Sequence, residues 1–265
     1  MVQTCKIWRL VEGDSPLVAA AVHDGHAVRP EVQRLTALSD EDRRREEDPF
    51  TGQWAEIAAN RIVATHSRFQ VDLNRPRNRA VYRTPEDAWG LNLWKKKISK
   101  DTVAQSLMEY DAFYADAKIL FDKLSARFGY FFVFDLHTYN YRRFGPGGPP
   151  DDPRENPEVN IGTGTMDRGF WAHVVDPLIA ELQAADFLGR RLDVRENIKF
   201  KGGHFSRWIH ETFPRSGCAV AIEFKKFFMD EWSGALDERQ HQAIHQALQR
   251  TVPVVLDALL DLQKG

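Results

Sequence analysis

Phe131-Phe132-Val133-Phe134-Asp135-Leu136-His137-Thr138 is the stretch on which the reading of the fold turns. Aromatic and β-branched residues in an unbroken apolar run predict a strand buried on both faces. Such strands belong to α/β sheets, where ligands settle in the crevice at the carboxyl ends of the strands. The polar end of the run falls there, so His137 is placed for metal ligation or proton transfer, or simply for capping a strand. A second apolar run has the same form, Ser67-Arg68-Phe69-Gln70-Val71 leading into Asp72-Leu73-Asn74-Arg75. Asp72 and Asp135 each precede a candidate by two residues, which on a strand puts each pair on one face. They would orient their neighbours or cap the sheet.

Outward from these runs, elements alternate. Leu17 to Val22 predicts a short buried strand that enters the polar break Val22-His23-Asp24-Gly25-His26. Pro30 to Leu38 predicts a helix, Trp54, Ile57, Ala58 and Ile62 have helical spacing, and Ile62 to Ala64 begins another strand. From Asp101 to Phe128, an apolar stripe including Leu107, Phe113, Leu120 and Leu124 predicts a long helix that Gly129 can cap. Asn140 to Asn160, rich in Pro, Gly and Arg, predicts a long loop, and its place directly after His137 makes it the border of an active site. A helix kinked at Pro177 is expected over Asp167 to Ala185, a buried strand over Cys218 to Phe224, and a C-terminal helix interrupted at Pro253. The expected architecture is one α/β domain over residues 1–265, a mixed sheet flanked by helices.

Composition narrows the function. The chain has 265 residues, 43% hydrophobic and 28% charged, ordinary for a soluble protein with a substantial core. A net charge of -2, with no basic cluster interleaved with aromatics, argues against a nucleic-acid partner. No secretory signal or bilayer-length apolar stretch is present, which argues against a membrane partner. Cys5 and Cys218 form no metal-binding spacing, and a reduced, cytoplasmic setting is expected. The charge run Asp40 to Asp48 reads as a solvated face, and His66, His173, His204, His210, His241 and His245 as surface or capping residues. Nothing in the sequence fixes the oligomeric state.

The chemistry comes from combining strand ends. Glu223 is the one charge on the expected buried strand Cys218 to Phe224, costly unless paired or functional. His23, His26, Glu46, Glu47, Asp48 and His137 are available to a hard or borderline cation. A catalytic zinc site commonly takes three ligands of the His/His/carboxylate type and leaves a fourth position to water. Glu223 would then be a free carboxylate facing that water. Arg68, Arg75 and Arg207 offer guanidinium groups to a carboxylate or an oxyanion.

Several segments in order carry a resemblance: Val22 to His26, Glu47-Asp48-Pro49-Phe50-Thr51, Ser67-Arg68 through Asp72-Leu73-Asn74-Arg75-Pro76, and Asp135-Leu136-His137-Thr138. Pro157 to Thr163, Asn197 to Arg207 around Lys201-Gly202-Gly203, and Ala219 to Phe224 continue it. The chain resembles the N-formylglutamate amidohydrolase family, which belongs with zinc carboxypeptidase-like and aspartoacylase-like hydrolases. The resemblance implies a zinc carboxypeptidase-like fold and one zinc ion per chain, with His23 as first ligand and His137 as last. The middle ligand maps onto Asp48, with His26 and Glu47 as alternatives. The resemblance also implies that Asn74 and Arg75 hold the substrate's α-carboxylate, with Arg207 beside them in a matching segment. Arg68 would polarise the scissile carbonyl. Glu223 would activate water and pass its proton to the leaving amine. The substrate expected is N-formylglutamate or a similar small anionic N-acyl amino acid, as in histidine degradation. The alternatives are a zinc carboxypeptidase and a non-catalytic anion-binding member of the fold.

Overall fold

A computed structural model describes residues 6–264; Cys5 lies outside the described residues. Seven strands form one mixed sheet: β1 (Trp8–Val11), β2 (Leu17–Ala21), β3 (Asn60–Ala64), β4 (Phe131–Tyr139), β5 (Val159–Gly162), β6 (Val194–Glu196) and β7 (Gly217–Lys225). Their order across the sheet is β1-β3-β2-β4-β7-β5-β6. β3, β2, β4 and β7 run parallel, β1 pairs antiparallel with β3, and β5 pairs antiparallel with β7 but parallel with β6. The helices are α1 (Pro30–Leu35), α2 (Asp40–Glu46), α3 (Thr51–Trp54), α4 (Lys100–Phe128), α5 (Ala172–Ala184), α6 (His204–Thr212) and α7 (Glu238–Lys264). No helix among the described residues is long and apolar enough to cross a membrane.

The central strands are buried because helices cover both faces. Phe132, Phe134, Leu136, Val220 and Ile222 pack with residues of α5 and α7. Phe131, Val133 and Ala219, of the opposite parity, pack with residues of α4 and α6. Alternation therefore turns Asp135, His137 and Glu223 toward the α4/α6 side. His137 and Glu223 are register partners across β4 and β7. The Ser99 hydroxyl caps the start of α4 by accepting from the Thr102 amide at 3.0 Å. Gly129, at φ 73°, ends it in a conformation that glycine adopts without a Cβ penalty.

Four expectations about local structure are corrected. Ser67 to Arg75 forms turns rather than a strand, because the Asp72 carboxylate accepts from the Asn74 amide at 2.8 Å and competes with ladder pairing. The region around Trp54 is α3 followed by a short 3-10 turn, Ala55–Ile57, and β3 already begins at Asn60. Pro253 does not interrupt α7, since it is exposed and its missing amide bond lies on the solvent side. The Asp40 to Asp48 run is not simply a solvated face, because Arg43, Glu47 and Asp48 are buried.

Candidate active site

Three segments far apart in sequence meet at the carboxyl ends of the parallel strands. His23 follows β2, Asp48 sits between α2 and α3, and His137 lies on β4. Their ligand atoms lie within 4.8 Å of one another. Nδ1 of His23 is 3.3 Å, and Nδ1 of His137 3.1 Å, from Oδ2 of Asp48. Behind each ring stands another carboxylate: His23 Nε2 is 2.7 Å from Asp72 Oδ1, and His137 Nε2 is 3.0 Å from Asp135 Oδ1. A carboxylate on the far nitrogen fixes ring orientation and tautomer, as for metal-ligating histidines generally. The backing groups are held in turn. Arg68 and the Tyr82 hydroxyl donate to Asp72 Oδ2, and Ser206 donates to Asp135 Oδ2 at 2.6 Å. Two imidazole nitrogens and a carboxylate oxygen converging on one point fit a divalent cation of borderline softness.

The electrostatics agree with this geometry. Burial alone would raise the Asp48 carboxyl, yet the hydrogen bonds and charges of His137 and His23 hold it well below the usual range. Burial opposes the charged form of His137, but Asp135 and Asp48 push that imidazole well above its ordinary value. Asp72 stays ionised despite burial because Arg68 and His23 flank it.

Beside the triad lies a cavity of about 360 Å³ whose lining includes Arg68, Asn74, Trp89, Arg143, Lys199 and Glu223. Burial, reinforced by Asp48, raises the Glu223 carboxyl to about 7, with His137 opposing the rise. Arg68 donates through Nε to Tyr82 at 3.1 Å and through NH2 to Asp72 at 2.8 Å, while its NH1 has a long 3.4 Å contact to the Glu46 carbonyl. Asn74 is locked by its Oδ1, which accepts from the Phe205 amide at 2.9 Å.

The close approach behind Asn74 requires a residue without a side chain, since a Cβ on Gly203 would overlap the Asn74 amide. Gly203→Ala is expected to lower stability by about 1–3 kcal/mol in urea unfolding, the usual cost of overpacking. It should also reduce turnover, because Asn74 would have to leave the cavity wall.

Other candidates lie elsewhere. Arg75 is not part of the lining. Its guanidinium rests 4.4 Å from the Tyr82 ring centroid, with Nε 3.7 Å from Asp72, and its buried NH1 has no hydrogen-bond partner among the described residues. Arg207 is exposed on α6, outside the lining. His26 and Glu47 pair with each other at 2.6 Å, line a different cavity, and do not belong to the triad. His210 is buried and not a surface or capping residue. It accepts from the Ala219 amide at 3.0 Å, tying α6 to β7, and burial pushes it down to about 4. His241 is likewise buried, stacked on Trp54 with centroids 5.3 Å apart.

Sequence reasoning missed the cations of the cavity wall. Arg143, Lys199, Lys201 and Lys226 all line it. The arginine-rich loop after β4 carries Arg143, and the segment Lys199-Phe200-Lys201-Gly202-Gly203 carries the next two, in plain sight. Lys226 leaves no sequence signal. It is buried and donates to the carbonyls of Arg45 at 2.6 Å and Glu47 at 2.7 Å, holding the turn that delivers Asp48.

Known proteins share this fold. A solved N-formylglutamate amidohydrolase from Ralstonia eutropha JMP134 is similar at TM-score 0.75 and 18% identity, covering 98% of this chain and all of that one. A gene product of Agrobacterium tumefaciens is similar at TM-score 0.67 and 17% identity, covering 98% of this chain and 97% of the other. At such identities these likenesses establish the fold alone. No curated protein matches the sequence. The sequence pattern of N-formylglutamate amidohydrolase, however, matches residues 15–229 and so takes in β2 through β7 with every residue of the triad and Glu223. By that match the chain is a hydrolase and belongs to the N-formylglutamate amidohydrolase family.

Proposed function

We propose that the protein hydrolyses the amide bond of N-formylglutamate or a similar small anionic N-acyl amino acid, using one zinc ion held by His23, Asp48 and His137. One observation carries the reading: two histidines, each backed by a carboxylate, present Nδ1 to Asp48 at the edge of a cavity that Glu223 lines. A bound zinc ion supplies Lewis-acid chemistry, polarising a carbonyl and making water more acidic.

The chain's own residues do the rest. Glu223, poised near neutrality, takes a proton from the attacking water. As the C–N bond breaks, it returns that proton to the leaving nitrogen, so that water and amide become a carboxylic acid and an amine, which part as carboxylate and ammonium once the acid's proton passes to the amine. Arg68 NH1, with only its long carbonyl contact, is free to meet the oxyanion that develops on the carbonyl oxygen. Asn74, on the cavity wall, and Arg75, which lies outside the lining and must swing its guanidinium off Tyr82 to reach it, hold the α-carboxylate. The unpartnered NH1 of Arg75 is the donor available for that contact. Arg143, Lys199 and Lys201 give the wall the positive charge that an anionic substrate needs.

A hydrolysis screen of N-formyl, N-acetyl and N-succinyl amino acids with zinc-loaded protein tests the reading. Turnover is expected for anionic N-formyl amino acids, with N-formylglutamate preferred over its α-ester by at least about tenfold, the worth of one charge-assisted contact. Equal turnover of acid and ester would remove the carboxylate contact. Cleavage of peptides alone would move the protein to the carboxypeptidase reading.

A further inference from the structure

A larger cavity shares no lining residue with the catalytic one. Its volume is about 770 Å³, and its floor is formed by Leu93, Trp94, Ile98, Val103 and Leu107. Val103 and Leu107 belong to the first turns of α4 and are only half-buried, as are Trp94 and Ile98. The rim carries Arg83, Lys96, Lys97 and Lys100, all exposed, and no carboxylate among the described residues lines the cavity. None of these four cations forms an ion pair with the described residues.

The wall is built before any ligand arrives. The Leu93 carbonyl accepts from the Ala37 amide at 2.7 Å, and the Lys95 amide donates to the Leu35 carbonyl at 2.9 Å. Trp94 Nε1 donates to the Tyr82 carbonyl at 2.8 Å, which fixes the indole as one side of the groove. A volume in this range is that of a small-molecule site, and sites of this kind are mostly apolar with a few placed polar groups. An inorganic anion would leave the apolar floor wet, and a neutral hydrocarbon would leave the rim unused.

We propose that this groove binds a small amphipathic carboxylate of the medium-chain fatty-acid type, its chain along the Trp94–Leu107 floor and its carboxylate at the lysine rim. Charge complementarity selects the occupant: four exposed rim cations with no carboxylate in the lining favour an anionic head group, and a concave apolar floor favours a hydrocarbon tail.

Isothermal titration of the wild-type protein with hexanoate, octanoate and decanoate tests this. Binding of one ligand per chain is expected, with affinity rising about three- to fourfold per methylene as apolar surface is buried. Decyltrimethylammonium, with the same tail and the opposite charge, should bind at least about tenfold more weakly than decanoate. Lys96→Glu/Lys97→Glu/Lys100→Glu should weaken decanoate by about tenfold or more and leave hydrolysis in the other cavity unchanged. Val103→Arg, which fills the floor, should weaken it similarly. Arg68→Ala, at a residue that lines the catalytic cavity and not the groove, should leave decanoate affinity as it is. Equal binding of the two surfactants, absence of chain-length dependence, or loss of decanoate binding with Arg68→Ala alone would overturn the proposal. So would a wild-type dimer that Val103→Arg converts to monomer, because the groove would then belong to a second copy of the chain.

Discussion

Glu223→Gln should lower kcat by roughly 10² to 10⁴ while leaving metal content unchanged, because it removes the base and keeps the shape. Two further readouts separate a catalytic role from a structural one. In the wild type, activity should fall as pH drops below about 7, where the Glu223 carboxyl takes up its proton. The residual activity of the variant should lack that limb. The metal-free protein gives the second readout. A carboxyl raised from 4.5 to about 7 binds more protons folded than unfolded between those values, so its contribution to stability declines as pH climbs through that window. Glu223→Gln should therefore be the more stable protein at neutral pH, as judged by urea unfolding. A variant that is less stable and has lost its metal would show Glu223 to be a ligand or an ion-pair partner.

Asp48→Ala should abolish stoichiometric zinc uptake, measured by elemental analysis after dialysis against zinc, and hydrolysis should disappear with it. The loss should exceed the roughly 10- to 100-fold typical of an outer partner, for which Asp72→Asn serves as the internal comparison. His26→Ala should retain zinc, since His26 pairs with Glu47 in a separate cavity. Uptake should release protons, because the flanking carboxylates favour the imidazolium form of His137 and a metal requires the neutral ring. If His26→Ala rather than Asp48→Ala loses the metal, the assignment of the middle ligand fails.

The parts of the fold that announce themselves in the sequence are those with the simplest environments. β4 and β7 are covered on both faces, so burial writes them as continuous apolar runs. α4 has a sustained apolar stripe and a glycine stop. The edge strands β1 and β6 and the short β5 have three or four residues each, too few for a pattern to emerge. The burial of Arg43, Glu47 and Asp48 was hidden for a different reason. Arg43 has local acids in Asp40 and Glu47, but the other partners are distant: the His26 carbonyl with Arg43, Ser67 with Glu47, and Lys226 with the carbonyls around them, and these contacts leave no local trace. His23 and His137 were legible because each ends a predicted strand. Asp72 drew attention for a spacing that presumed a strand, yet it reaches His23 from a turn.

The position of β7 has a consequence for how the chain must be made. This strand lies between β4 and β5, although both precede it in sequence. Until residues 217–225 have left the ribosome, β4 has β2 on one flank and an open edge on the other, and the β5–β6 pair has no sheet to join. Those edges are long-range pairings held in abeyance, the kind that slows folding and invites association between nascent chains. Synthesis up to the start of β7 at Gly217 therefore yields two unfinished sheet fragments, and the last strand joins them.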